Sequence, residues 1–546
     1  MINKNLLRNL SFIYLNLKSY ISKIYHNSKL YDKKISKICN NNFEYKPSPH
    51  LLSSIVKYQK KKYLIENFAL ESVWQDNISL SDFKKLNNFF WFFSLDLKSS
   101  KKDVQFLISN WIKKNNYYNE KSWDFDLTSK RIISWLSNYK LTYEGSENQY
   151  KIKFDQFIKK QANHLLNKIK NTNEYEDKII GCAAIILTGL AYQNNKNYLR
   201  KGLDLLKKII KYSINNQGFP KSRNINQLCL YLKYFIIIRE WFKESQNTIP
   251  EYIDETIYYL GLSYAFIWQN IKYDILFNGN YKSNNYEFDE YLKRFGYTFK
   301  NQINELSGYA ILKNKKITLA MDIGPNPDKY FSKDYQSGAL SFEIISDGKK
   351  LISNSGYFPD KKNQLYRLSK TSAMQSTLVI EDYSSCNFEK IYKSYYLVDK
   401  GLRIIKKNVV FEDNYWKISA SHDGYFKRFN SIHEREVEFY PEQLKFIGFD
   451  KILRKNNDNN DNNAIKFDIR FHLDPNTKVM KTQDNKSILI ELEDEGWKFT
   501  CANFDINIDN GLYFGDKNSY KDNQNISISG KTYDKDQIIK WEIIRL

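Results

Sequence analysis

Ile317-Thr-Leu-Ala-Met-Asp-Ile323 places an apolar side chain at every second position. That period of two belongs to a strand with one face in a core. Upstream the period is different. Ile209-Ile210, Ile214, Leu228 to Trp241 and Ile257 to Trp268 recur at i, i+3, i+4 spacing, the signature of amphipathic helices. Pro220 and Pro250 fall between these runs, where turns are expected. Downstream the alternation continues through Leu340 to Ile345, Ser376 to Ile380, Leu402 to Val410, Tyr415 to Ala420, Arg435 to Tyr440, Ile465 to Leu473, Ile488 to Leu492, Trp497 to Phe504 and Ile538 to Ile544. Asp347-Gly348, Asp423-Gly424 and Asn510-Gly511 supply turn signals. Many short strands without helices between them predict an antiparallel β-sandwich. The chain therefore reads as a multidomain α and β protein, helical over residues 1–300 and a sandwich over 301–546.

Composition narrows the class. The 546 residues exceed one compact core. Hydrophobic residues make up 42%, enough to fold, while a mean hydropathy of -0.62 and the lack of an apolar run near 18 residues argue against a transmembrane helix. Leu6, Leu7, Leu10, Ile13 and Leu17 space helically before Lys18 and Lys23 interrupt them. This reads as an amphipathic helix with no cleavable signal evident, and leaves periplasmic and cytoplasmic locations both open. The net charge of +22 favours polyanions, either nucleic acid or acidic glycan. No interleaved Gly and aromatic RNA-binding signature appears, so no specific nucleic acid is expected. Cys39, Cys182, Cys229, Cys386 and Cys501 are scattered and odd in number, which excludes a disulfide framework and a zinc ribbon. Lys455 to Asn463 is a polar low-complexity loop.

Several ordered segments carry a resemblance. Tyr366-Arg-Leu-Ser-Lys-Thr-Ser-Ala-Met-Gln-Ser-Thr-Leu-Val-Ile-Glu-Asp382 is one. Trp123 to Trp135, with Arg131 and Trp135 one helical turn apart, is another. Gln217-Gly-Phe-Pro-Lys-Ser-Arg-Asn224, Ser421 to Tyr425, His433-Glu-Arg435, Phe449-Asp450 and Arg470 to Pro475 follow in order and rough spacing. Together they resemble the heparinase II/III-like polysaccharide lyases. That resemblance implies an incomplete (α/α) toroid followed by an antiparallel sandwich, and β-elimination on an acidic, uronate-containing polysaccharide. Such chemistry needs groups that neutralise the uronate carboxylate, a Tyr or His that removes the neighbouring proton, and an acid for the leaving oxygen.

Position by position, the match departs from the family. The family's Asn-His before the apolar helix Ile179 to Leu190 falls near Glu176-Asp177, its Tyr falls near Gln227, and its sandwich His is Gln375. The resemblance leaves Arg223 and Asn224 to hold a carboxylate, Tyr231 or a Tyr between Tyr281 and Tyr286 as base, and Gln375 as a hydrogen-bonding residue. Trp123, Arg131, Trp135, Tyr281 and His422 are the expected sugar contacts, although Arg131 and Trp135 equally suit a core pair and Asn224 equally suits a helix cap. The resemblance also implies a structural divalent metal such as zinc. Only His472 and Asp382 remain as ligands, too few to close a zinc site. Loss of the Asn-His and sandwich His keeps a second reading open, a catalytically impaired glycan-binding or scaffold protein.

Overall fold

The computed structural model describes residues 17, 20–37, 43–53, 78–96, 98–192, 196–269, 271, 273–282, 286–391, 395–454, 464–517, 519–533 and 535–546. The apolar positions Leu6 to Ile13, Cys39 and the loop 455–463 lie outside these residues. The chain divides into two units. One comprises residues 1–213, 230–258 and 285–298; the other comprises 214–229, 259–284 and 299–546.

The first unit is helical. Its principal helices are Lys101–Lys114, Phe125–Ser137, Asn148–Lys168, Tyr175–Ala191 and Lys196–Ser213. Side-chain caps start several of them: Ser100 accepts from the Asp103 N–H and Asp124 from the Leu127 N–H, answering backbone donors that the first turn leaves unpaired. Tyr175–Ala191 is buried from Ile179 onward, which explains an almost unbroken apolar run. Among the described residues no helix is long and apolar enough to cross a membrane.

The second unit holds the antiparallel sheets. A five-stranded meander runs Glu305–Leu306, Tyr309–Lys313, Ile317–Asp322, Phe342–Ser346 and Lys349–Ile352. An eight-stranded sheet has the order Lys478–Lys481, Ser487–Leu492, Glu495–Cys501, Gln537–Arg545, Lys445–Arg454, Ser431–Tyr440, Trp416–His422 and Ile404–Phe411. A four-stranded sheet has the order Ile506–Tyr513, Lys521–Thr532, Ile465–His472 and Leu378–Ile380. Ser431–Tyr440 alternates buried and half-buried positions along its whole length, as a strand with one face inward must. Leu312, Phe342, Phe439, Phe471, Ile526 and Trp541, drawn from all three sheets, share one apolar core.

The turn signals divide. Asp347 and Gly348 both have positive φ, 44° and 80°, and close the hairpin between Phe342–Ser346 and Lys349–Ile352. Asn510-Gly511 is not a turn; it lies inside the strand Ile506–Tyr513. A Cβ on Gly511 would sit 2.1 Å from the Asn525 amide nitrogen of the neighbouring strand. The glycine therefore admits a side chain across the ladder instead of reversing the chain. Cys182, Cys229, Cys386 and Cys501 are buried outside any disulfide, as small apolar residues are.

Candidate functional site

The Gly turn ends in a clamp. Asn215 Oδ1 accepts from the Gln217 and Phe219 N–H groups, which closes the loop, and Gly218 has φ 75°. Arg223 follows with φ 59° and a buried side chain. Its Nε donates to the Ser307 carbonyl at 3.1 Å, Nη1 to Pro325 at 2.9 Å, and Nη2 to Gly308 at 2.8 Å and to Asp322 Oδ1 at 2.6 Å. The guanidinium lies 4.5 Å from the centre of the Tyr309 ring, and Tyr309 donates its OH back to the Arg223 carbonyl. Asn278 donates to both Tyr309 Oη and Asp322 Oδ2. Burial works to lower the pKa of Arg223, and Asp322 more than reverses it. Arg223 is thus a charge whose counter-ion is already inside the protein. Asn224 Oδ1 accepts from the Gln227 N–H, which makes it the cap of the helix Ile225–Glu244, and its amide donates to Asp334.

Gln375 occupies a buried bend after the short helix Gln364–Leu368 and the turn Ser372–Met374, with 1% of its surface exposed. Its amide nitrogen faces the Ser369 carbonyl at 3.4 Å. The residue after it is pinned on every side. Ser376 N–H donates to Asn354 Oδ1, its Oγ accepts from the His472 N–H, and its carbonyl accepts from Arg435 Nη1 at 2.6 Å. The same segment buries Lys370, whose Nζ donates to the Lys333 carbonyl at 2.6 Å. Burial, only partly offset by Asp334, brings that amine down to about 7. Asp334 in turn accepts from Tyr357 Oη at 2.7 Å.

His422 and His433 belong to a closed chain of hydrogen bonds. Gly424 N–H donates to His422 Nδ1 at 3.0 Å, so His422 carries its proton on Nε2 and gives it to His433 Nδ1 at 3.3 Å. His433 Nε2 donates to Asp450 Oδ1 at 2.8 Å. Arg435 completes the carboxylate through Nε and Nη2, and Trp541 Nε1 donates to Oδ2. Burial opposes ionisation of Asp450, but Arg435 and His433 hold it well below the usual carboxylate range. His422 has no exposed surface, so it cannot touch a sugar as expected from the resemblance.

The ligands expected for a metal do not fit one. His472 donates from Nε2 to the Ala373 carbonyl and accepts at Nδ1 from Ser355 Oγ, leaving no lone pair for a cation. Asp382 is exposed on a turn at φ 59°. Among the described residues no three His, Cys, Asp or Glu side chains are grouped to hold an ion.

In the helical unit the expected sugar contacts are core residues. Trp123 and Trp135 are 1% and 0% exposed. Arg131 donates to Gln161 Oε1, the Asn87 carbonyl and Thr128 Oγ1, and sits 4.0 Å from the centre of the Trp111 ring. A side chain without surface cannot stack on a glycan; Arg131 and Trp135 are both core residues, each packed against Trp111. Tyr231 is also buried, and burial followed by the field of Glu176 pushes its pKa well up, the opposite of what a base needs. Glu176 and Asp177, at the family's Asn-His position, lie half-buried beside Asp126 and Glu174. Burial and these carboxylates raise Asp177 to about 8. A protonated Asp177 is neutral, and the cation beside it, Lys130, is paired with Asp126. Tyr281 is half-buried, with the Lys517 ammonium 5.1 Å from its ring centre. The side chain of Tyr286 lies outside the described residues.

Sequence reasoning singled out Arg223, Asn224 and Gln375 and passed over Asp322, Asp334 and Lys370, which complete their surroundings. Asp322 and Asp334 arrive from distant segments, whereas Lys370 stands in the same quoted stretch as Gln375.

Comparisons with known proteins agree with this architecture. Residues 305–542 match the family described as heparinase II/III-like, C-terminal. A heparinase III structure superimposes with a TM-score of 0.68 at 14% identity, covering 97% of this chain and 91% of the other. Heparan sulfate lyase HepC from Pedobacter heparinus gives 0.61 at 11% identity, covering 95% and 83%. At such identities the likeness shows the fold, a helical toroid followed by an antiparallel sandwich. FtsZ-localized protein C of Caulobacter vibrioides (strain NA1000 / CB15N) is 24% identical over 249 residues, 44% of this chain and 42% of that one. The chain therefore spans less than half the length of that relative. Residues 305–542, which hold the pinned Gln375 segment and the buried Arg435–Asp450 pair, are similar to the heparinase II/III-like C-terminal domain.

Proposed function

We propose that this chain binds an acidic, uronate-containing glycan and does not cleave it by the route that the resemblance implies. The observation that carries this reading is Gln375. An amide stands where the resemblance expects His, and an amide cannot move a proton. Three further features support it. Arg223 is already paired with Asp322. Tyr231 is buried with its pKa raised. Carboxylates stand at the Asn-His position. The net charge of +22 suits a polyanionic ligand. The relative FtsZ-localized protein C, whose name states a location and no reaction, agrees with a binding or scaffold role.

The alternative reading is β-elimination, the reaction that the resemblance implies. One experiment separates the two. The purified chain is incubated with a panel of uronate polymers while binding and the absorbance of the unsaturated uronate product are followed. Binding with no absorbance change is the expected result. A rising absorbance on any polymer overturns the first reading.

A further inference from the structure

The sandwich unit carries a cavity of about 810 Å³ that none of the residues considered above explains. Its walls come from the turn at Tyr383–Asn387, the segment Lys400–Arg403 and the turn Asp423–Phe429. Four cations line it, Lys400, Arg403, Lys427 and Arg428, against one carboxylate, Asp423. Asp423 is committed already: it accepts from the Arg403 N–H at 2.7 Å and from Arg403 Nε at 2.9 Å. That contact orients the Arg403 guanidinium and leaves both Nη groups without a partner among the described residues. Arg428 is held against the Tyr383 ring, 3.8 Å from its centre. No carboxylate among the described residues pairs with Lys400, Lys427 or Arg428.

The floor is rigid. Gly424 donates its N–H to His422, the first member of the buried chain that ends on Asp450 and Arg435. A Cβ on Gly424 would lie 2.6 Å from the Ser385 carbonyl, so the two turns pack backbone to backbone. Cations on a fixed base bind an anion without first being ordered. Tyr383 is 46% exposed and Phe426 36%, which gives apolar faces between the charges. The volume lies within the roughly 300–1,000 Å³ typical of ligand pockets.

The geometry points to this cavity as a binding site for a short acidic oligosaccharide, its carboxylate or sulfate groups taken by Arg403, Lys427 and Arg428 and a ring face by Tyr383 or Phe426. A single-stranded nucleic acid fits less well, because binding it calls for a run of stacking faces and the exposed aromatic lining residues are Tyr383 and Phe426 alone. The assignment rests on the glycan-binding reading and supplies the contacts that Trp123, Trp135 and His422, being buried, do not.

The test uses the full chain and four labelled probes: an oligouronate, a sulfated tetrasaccharide, a neutral tetrasaccharide, and a single-stranded oligonucleotide of equal charge. Affinities are compared for the native chain, for Arg403→Ser/Lys427→Ser/Arg428→Ser, and for a charge-matched control, Lys478→Ser/Lys486→Ser/Lys531→Ser. Melting temperatures check that each variant is folded. The expected result is binding of one or both acidic sugars, weakened about tenfold or more in the cavity variant and about twofold or less in the control. The two acidic arms distinguish carboxylate from sulfate recognition. If acidic sugars bind and the cavity variant behaves as the control does, the cavity assignment fails while the glycan-binding reading stands. If neither acidic sugar binds the native chain, both fail. Equal binding of the neutral sugar, or tighter binding of the oligonucleotide, overturns the ligand class.

Discussion

Arg223 has the residue type and the setting of a substrate-binding cation, yet its guanidinium donates to three backbone carbonyls and to Asp322, itself 1% exposed. Arg223→Ala should therefore act on stability. It would leave the Asp322 carboxylate buried without its cation, at a cost of about 3–5 kcal/mol in chemical denaturation. Arg223→Lys should recover only part of this, because an ammonium cannot reach four acceptors spread along a planar fork. Unchanged denaturation midpoints in both variants would show that the pairing does not carry the fold. The turn that makes Arg223 stand out is visible locally, in Gly218, Pro220 and Asn224. Its partner is not, because Asp322 lies 99 residues away in a strand that reads only as alternating and apolar. The same separation hides Asp334 from Asn224 and Ser369 from Gln336.

Elements were legible where one face is apolar and obscure where both are polar. Ser431–Tyr440 and Ile317–Asp322 show their period openly. Lys521–Thr532, which begins Lys-Asp-Asn-Gln-Asn, pairs with Ile506–Tyr513 over 521–528 and with Ile465–His472 over 525–532, yet carries few apolar side chains at its start. Register supplies what period does not. Val437 pairs with Gly448, and Gly448 with Trp541, across three adjacent strands. A Cβ on Gly448 would lie 2.0 Å from Trp541 Cζ2. The glycine is there so that the indole can lie over the strand and its Nε1 can reach Asp450. Gly448→Val should displace Trp541, with overpacking near 1–3 kcal/mol and the further loss of a hydrogen bond to a buried charge. Trp541→Phe keeps most of the volume and loses the bond alone, so it should cost less. A Gly448→Val variant as stable as the native chain would refute this account of the sheet.

At the scale of the whole molecule, each unit buries imidazoles in their neutral form. His164 accepts from Tyr31 at Nδ1 and donates to the Trp123 carbonyl, and burial brings it to about 3. Burial does the same to His472, also to about 3, and lowers His422 and His433. An unfolded histidine takes up its proton near pH 6.5, whereas His164, His472 and His422 do not while folded. Their contribution is whole above pH 6.5 and is lost as the pH falls below it, at about 1.4 kcal/mol per pH unit for each. Asp177 works the other way, since burial and its carboxylate neighbours raise it to about 8 and it keeps a proton in the folded state that the unfolded chain has released. It offsets about one histidine. Stability should therefore fall by about 3 kcal/mol per pH unit below pH 6, a large fraction of the roughly 5–15 kcal/mol that holds a domain together. Melting temperatures between pH 7.5 and 5.0 test this directly. His472→Gln can still accept from Ser355 and donate toward Ala373 but cannot titrate, so it should flatten the slope by about half. A melting temperature independent of pH across that window, or a slope unchanged by His472→Gln, would mean that these imidazoles are not held neutral by the fold.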